Sequence, residues 1–399
     1  MPVPTPFHPR TSELCTSLLY KEWAGCFAVC RYDLYQDREY YALRNQATVM
    51  DASPLYKYEV TGPNAADLLT RVMVRPFTKT KVGRVVYVCW CDDDGKVLDD
   101  GTVTRLDDQH FRVSSAEPAH AWLIRNARGL DVEVVDVSRD IAALALQGPR
   151  SRDCLRPLVG KEIDDLGFFR AMPVRYHTGS GEHEGVVTRT GYTGDLGYEL
   201  WMKNDAALPV YDALMESGQP FGLLPMGLDA LDVSRVEAGF LLSGVDYTSA
   251  RHAFIERQKS TPYELAFDWM VKLDRDPFVG QTALRREKEK GTDRRLIGLE
   301  IDWVEFEAIH EEFGLVPHLE TATCRLGVPL YHDSRQVGYA TSRTWSPLLK
   351  KYLALATVES GVAQPGSELK IEVTCEYVRK KATATVTPMP FYDPERKKA

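Results

Sequence analysis

Residues 188–200 read TRTGYTGDLGYEL, with Gly191, Gly194 and Gly197 evenly spaced and Glu199 just beyond them. A dinucleotide fingerprint needs the spacing G-x-G-x-x-G between a strand and a helix, and these glycines do not supply it. The flanking runs VVTRT and YELWM are rich in β-branched and aromatic residues. A strand, a glycine-supported turn and a returning strand are therefore expected. Side chains alternate along a strand, so if Tyr198 and Leu200 face a core, Glu199 faces the opposite side. Taken alone, the stretch is either plain turn chemistry with a surface glutamate or a loop that grips a ligand.

Working outward, strands and helices mix without strict βαβ alternation, which favours an α+β fold over a doubly wound sheet. Residues 38–50 read as a helix leading into an extended turn, KYEVTG as a strand and PNAADLLTRVMV as a helix. RVVYVCWC (84–91) and KVLDDGTVTRL (96–106) are strands around the turn signal DDDG, which places Asp99 and Asp100 in the returning arm. Alternation puts these two acids on opposite faces, so only one is expected to point into any one cavity. From Leu296 onward, LIGLEI, VPLY, VGYATS, YLALATV, ELKIEV and KATATV are short strands separated by turn residues. They read as a C-terminal β-barrel or sandwich. The expected division is 1–290 and 294–399.

At 399 residues, 44% hydrophobic and 27% charged, the chain is ordinary for a soluble globular protein with two or three domains. A net charge of −8 argues against a nucleic-acid-binding surface. The densest charged run, RREKEKGTDRR at 285–295, reads as a solvated helix face and loop. No segment has the apolar length of a signal-peptide core or a membrane span, so a cytoplasmic protein with no membrane partner is expected. The eight cysteines lack the paired C-x-x-C or histidine partners of a metal site; reduced, mostly buried thiols are expected and no metal.

Several separated motifs align, in order, with one family. The sequence resembles the glycine cleavage T-protein (aminomethyltransferase) family, which includes folate-dependent demethylases. The matching pieces are VTGPNAADLL (60–69), YVCWCDDDGKVLDDGTV (87–103), LALQGPRS (144–151), TRTGYTGDLGYEL (188–200) and SRVEAG (234–239). They continue through 260–284, 338–358 and MPFY (389–392). The resemblance implies a three-part, cloverleaf-like fold, two intertwined lobes around a central tetrahydrofolate cavity with a C-terminal barrel closing one side. It also implies that Tyr192 packs on the folate, that Glu199 binds the amino-group and ring N–H edge of the pterin, and that Tyr87 lines the cavity. A carboxylate suits that edge as an acceptor-only fork. Asp100 is implied to be the catalytic acid near the reacting nitrogen.

Departures from the family pattern bear on the substrate. Residues 51–55 are Asp-Ala-Ser-Pro-Leu, without the histidine of T-proteins; Leu231 and Asp393 stand where arginines would hold the folate tail. Arg235, Arg343 and Lys350 are candidate replacements, and Arg235 is taken as folate-binding. Between SRVEAG and STPYE the chain is longer than in T-proteins, and such loops tune substrate access. Tyr56, Tyr247 and Trp345 are candidate entrance aromatics. The departures favour a stand-alone demethylase taking a methyl group from a small methylated amine, sulfonium or methyl ether to N5 of tetrahydrofolate. The alternatives are a glycine cleavage aminomethyltransferase acting on a lipoyl carrier protein, and a non-catalytic folate-binding protein.

Overall fold

The computed structural model describes residues 1–317, 319 and 322–399. The two runs flanking the glycines pair as expected. Gly181–Thr188 lies antiparallel to Gly197–Lys203, with Thr188 opposite Glu199. They belong to a six-stranded sheet in the order Ala171–Thr178, Gly181–Thr188, Gly197–Lys203, Ile141–Gln147, Ala47–Asp51, Leu223–Pro225. Helices Ser151–Val159 and Ala207–Gly218 cover one face, where Leu155, Leu158, Val210 and Leu214 pack on Leu144 and Leu200.

The strand Ala47–Asp51 replaces the extended turn read from the sequence. Val49 packs into the helix-covered core while Met50 packs into a second core on the other face. With both faces covered, the run shows no polar alternation to mark it as a strand.

A second sheet runs Val85–Cys91, Val97–Asp107, His110–Ser115, Tyr56–Thr61, Glu133–Asp136. The helix Ala65–Val72 packs on it through Leu68, Leu69 and Val72, all 0% exposed and spaced for one helical face. Each such side chain contributes about 1.5–3 kcal/mol by leaving water. Backbone bonds join the two sheets, from Val85 N–H to Phe169 O (3.0 Å) and from Ala171 N–H to Gly83 O (2.8 Å).

The six C-terminal runs form Arg294–Ile301, Val328–His332, Arg335–Ser346, Lys351–Glu359, Glu368–Cys375 and Val378–Thr387, which close into a barrel rather than an open sandwich. Strand 368–375 alternates buried and open positions, as a barrel wall requires. The helix Trp303–Glu311, which the sequence reading did not identify, is N-capped by Asp302 accepting from Glu305 N–H at 2.9 Å.

The helix Leu228–Glu237 links the barrel to the rest. Arg235 Nη2 donates to Ser342 Oγ at 2.7 Å, and Ser346 Oγ donates to Glu237 Oε1. Glu237, 0% exposed, also accepts from Tyr40 and Arg44. Thus the SRVEAG motif is an ionic junction between parts. The eight cysteines are buried and free. Among the described residues no helix is long and apolar enough to cross a membrane.

Candidate functional site

The three glycines of the turn have a steric cause. A Cβ on Gly191 or Gly197 would lie 1.9 or 2.2 Å from Gln147 Oε1, and Gly194 has φ +75° with its Cβ position 2.6 Å from Ala238. The turn wraps the buried Gln147 amide, which donates to Thr190 O and Tyr198 O and accepts from Thr193 Oγ1 at 2.9 Å. Only glycine permits this approach.

The wrapped turn displays Tyr192 and Glu199. Tyr198 and Leu200 are 0% exposed while Glu199 between them keeps open surface, the alternation read from the sequence. Glu199 Oε2 accepts from Thr190 Oγ1 at 2.8 Å and Thr188 Oγ1 at 3.2 Å. Both bonds end on the same oxygen. Burial pushes the Glu199 carboxyl up, and the two threonine hydroxyls pull only partly against it. The Tyr192 ring stacks on Phe240 at 5.5 Å, and its hydroxyl donates to Leu241 O.

Asp99 and Asp100 come from the second sheet. Gly101 must follow them, because a Cβ there would lie 2.0 Å from Ser114 O. Asp100 Oδ2 accepts from the Tyr87 hydroxyl at 2.6 Å, and its Oδ1 accepts from the Tyr247 hydroxyl. Asp99 is 1% exposed and accepts from Glu117 N–H at 2.8 Å. Its Oδ1 also lies 3.3 Å from the Tyr247 oxygen. The two acids therefore meet on one phenol instead of serving wholly separate faces, because Tyr247 reaches in from another segment. Burial raises the Asp100 carboxyl while the phenols of Tyr247 and Tyr87 lower it; burial, then the charge of Asp100, pushes Asp99 well up. Burial and the Asp100 charge hold Tyr87 and Tyr247 well above the usual phenol range, so both act as neutral donors.

The segment carrying Tyr247 docks along the acid strand, with Ser249 Oγ donating to Leu98 O at 2.6 Å and Ala250 N–H to Val97 O at 2.8 Å. Sequence reasoning named Tyr247 only as an entrance aromatic; its bond to Asp100 had no local signal. Trp269 was missed altogether. It is 56% exposed and stacks on Tyr87 at 6.3 Å. Trp345 instead packs on Trp303 at 4.8 Å on the barrel, and Tyr56 lies on its strand opposite Ser115.

Burial pushes Tyr192 up, while Arg235 opposes and Asp100 adds to the shift. Arg235 itself is 1% exposed, and all three of its nitrogens are engaged within the protein. Nε bonds Asp232 at 2.7 Å, Nη1 bonds Phe240 O at 3.2 Å and Asp246, and Nη2 bonds Ser342. Arg343 Nη2 bonds Cys324 Sγ at 3.0 Å. Leu231 packs beside an apolar cluster and Asp393 pairs with Lys397 and Lys398. A cleft of about 510 Å³ lies elsewhere, lined by Pro4, Cys26, Ser53, Arg139 and Leu208, and holds none of the site groups.

Comparison with known proteins places the chain in a family. The family model described as the GCVT N-terminal domain matches residues 20–275, and that of the glycine cleavage T-protein C-terminal barrel domain matches 313–393. The chain belongs to the glycine cleavage T-protein family. It is an enzyme of that family. An aminomethyltransferase of Thermoanaerobacter sp. is 30% identical over 90% of this chain and 90% of that protein. A trimethylamine-oxide aldolase of Ruegeria pomeroyi is 34% identical over 98% of this chain, which spans 47% of that larger protein. The fold matches the aminomethyltransferase T of the glycine cleavage system from Bartonella henselae, with a TM-score of 0.82, 23% identity, and coverage of 98% of this chain and 99% of that one. The T-protein barrel is the closed six-stranded one described above.

Proposed function

We propose that this chain is a tetrahydrofolate-dependent demethylase that moves a methyl group from a small methylated amine, sulfonium or methyl ether to N5 of the folate. The observation that carries the reading is Asp100 held by two neutral phenols, one of them Tyr247 from the segment beyond the SRVEAG helix. The family's enzymes are folate-dependent, and the residues present fit a pterin. Among the described residues Glu199 is bonded by threonine hydroxyls on Oε2 alone, which leaves Oε1 as acceptor for the amino and ring N–H donors of the pterin. Ser243 Oγ, buried near Tyr247 without a hydrogen-bond partner among the described residues, is a further polar atom suited to a ligand. Tetrahydrofolate, when bound, supplies the nitrogen that accepts the one-carbon group.

Asp100 would stabilise the positive charge that develops as the methyl carbon leaves its nitrogen, sulfur or oxygen for the acceptor nitrogen, whose proton is given up so that the donor departs as an amine, sulfide or alcohol. Tyr87 and Tyr247 fix its carboxylate, so no reorganisation is needed at that moment. Holding the donor carbon and the acceptor nitrogen in line, a separate effect, contributes on the order of 7–11 kcal/mol to such reactions. Tyr192, stacked on Phe240, and Trp269, stacked on Tyr87, offer flat faces to a ring-bearing or cationic ligand. Arg235 acts as a positioning residue behind Tyr192, since its donors are engaged with Asp232, Asp246 and Ser342.

Similarity to an enzyme named for a methylated amine oxide supports a small donor. A second reading, aminomethyl transfer from a lipoyl carrier protein, is supported by relatives named aminomethyltransferase that match over 88–90% of this chain and 90% of their own length. The test supplies purified protein and tetrahydrofolate with either a panel of methylated donors or aminomethylated lipoyl carrier protein. 5-Methyl-tetrahydrofolate from a small donor supports demethylation; 5,10-methylene-tetrahydrofolate and ammonia only with the carrier support the second reading. Folate binding without either product indicates a non-catalytic protein.

A further inference from the structure

The reading above assigns chemistry to Asp100 and leaves Asp99 unexplained. The arrangement around Tyr247 gives Asp99 a defined state. A phenol carries one hydrogen. Tyr247 commits it to Asp100 Oδ1, the closer of its two carboxylate neighbours. Asp99 Oδ1 nevertheless stands 3.3 Å from the same phenolic oxygen, and its Oδ2 is occupied by Glu117 N–H. Were Asp99 ionised, that contact would set an anion against an oxygen lone pair with no hydrogen between them, next to a second carboxylate.

The titratable groups facing Asp99 are Asp100, Tyr247 and Glu117, two acids and a phenol. None is a cation. The Glu117 carboxylate turns away to His252 Nε2 at 2.9 Å, and the charged or titratable groups that act most strongly on the Tyr247 phenol are Asp100, Asp99 and Tyr87. Asp100 differs, since it receives two phenolic hydrogens and keeps open surface. The hydrogen count closes when Asp99 carries a proton on Oδ1 and gives it to the free lone pair of Tyr247.

We propose that Asp99 is held as a neutral carboxylic acid that donates to Tyr247, which in turn donates to Asp100, so that Asp99 is the positioning residue for the Tyr247 proton. Its catalytic meaning rests on the demethylase reading; its protonation does not. Burial and the neighbouring Asp100 charge push the Asp99 carboxyl in the required direction, against the backbone N–H groups of Glu117 and Asp100, which pull it down. A chain of donors aligned in one sense also polarises the hydroxyl at its centre.

The decisive experiment labels aspartate carboxyl carbons with carbon-13 and records their resonances at neutral pH in folate-free protein, assigned by loss in Asp99→Asn and Asp100→Asn. The Asp99 signal is expected at the protonated-acid position and the Asp100 signal at the carboxylate position. Both signals at the carboxylate position would overturn the proposal. If an Asn variant fails to fold, Tyr247→Phe provides the assignment, because the acid that donates to Tyr247 shifts on losing its acceptor. No protonated-acid signal sensitive to that change would equally overturn it.

A kinetic readout follows from the same state. Asn mimics a neutral acid, donating through Nδ2 and accepting through Oδ1. Asp99→Asn should therefore keep kcat within about tenfold of wild type, while Asp99→Ala loses roughly a hundredfold. Loss in Asp99→Asn as deep as in Asp99→Ala would contradict the neutral-acid role. Absence of methyl transfer in the wild type would remove the demethylase reading and leave the spectroscopic result standing.

Discussion

The hydroxyl of Tyr87 donates to Asp100 Oδ2 at 2.6 Å across two paired strands. Cys89 is the direct partner of Asp100 in that pairing, so Tyr87, two residues away on the same face, reaches the acid diagonally. The bond is thus built into strand register, and the acid is oriented before any ligand arrives. Replacing Asp100 by Asn keeps the shape and removes the charge. Turnover should fall by roughly a hundredfold or more while folate affinity changes less, the pattern of a group acting mainly in the transition state. Single-turnover kinetics alongside calorimetry separates the two effects; near wild-type turnover would make the acid structural.

Glu199 is expected to act on binding instead. Glu199→Ala should weaken tetrahydrofolate binding by about 2–5 kcal/mol, because a buried donor edge loses its charged partner. Calorimetry on a folded variant checks this. An unchanged affinity would detach the glycine turn from the folate.

The same carboxyl predicts a pH effect on stability. Burial raises the Glu199 carboxyl above its ordinary value of 4.5, so over the interval above that value the native state binds more protons than the unfolded one. Stability contributed by this group therefore falls as pH rises. Glu199→Gln removes the charge. The variant should unfold at higher denaturant than wild type at neutral pH, and the gap should close as pH drops below 4.5. A gap that stays constant with pH would contradict the assignment.

Much of this was legible in the sequence, for reasons that differ by residue. The alternation Tyr198–Glu199–Leu200 and the hairpin holding Asp100 follow from period-two patterning, and the six barrel strands follow from their turn spacing. The strand Ala47–Asp51 was hidden because both of its faces are covered. Arg235 reads in sequence as a candidate folate-tail cation; its bonds to Asp246, eleven residues on, and to Ser342 of the barrel have no local signal. Tyr247 on Asp100 is likewise a contact across 147 positions, which no local pattern encodes.

The buried junction at Glu237 should be a stability hot spot rather than a catalytic one. Glu237→Ala removes the nearer carboxylate of the buried Arg44, leaving Asp195 at 3.7 Å, and removes the acceptor of Ser346, so a loss of about 3 kcal/mol is expected. Urea denaturation checks it, and a midpoint unchanged from wild type would show that the junction does not couple the barrel to the rest.

The central claim is methyl transfer from a free small molecule to tetrahydrofolate, and the fate of a labelled methyl group tests it most directly. Protein, tetrahydrofolate and donors carrying a deuterated methyl group are incubated without any carrier protein, and the folate is analysed by mass. All three deuterium atoms are expected in 5-methyl-tetrahydrofolate, with turnover lost in Asp100→Asn. Folate that stays unlabelled with every donor, while aminomethylated lipoyl carrier protein yields 5,10-methylene-tetrahydrofolate, would contradict it.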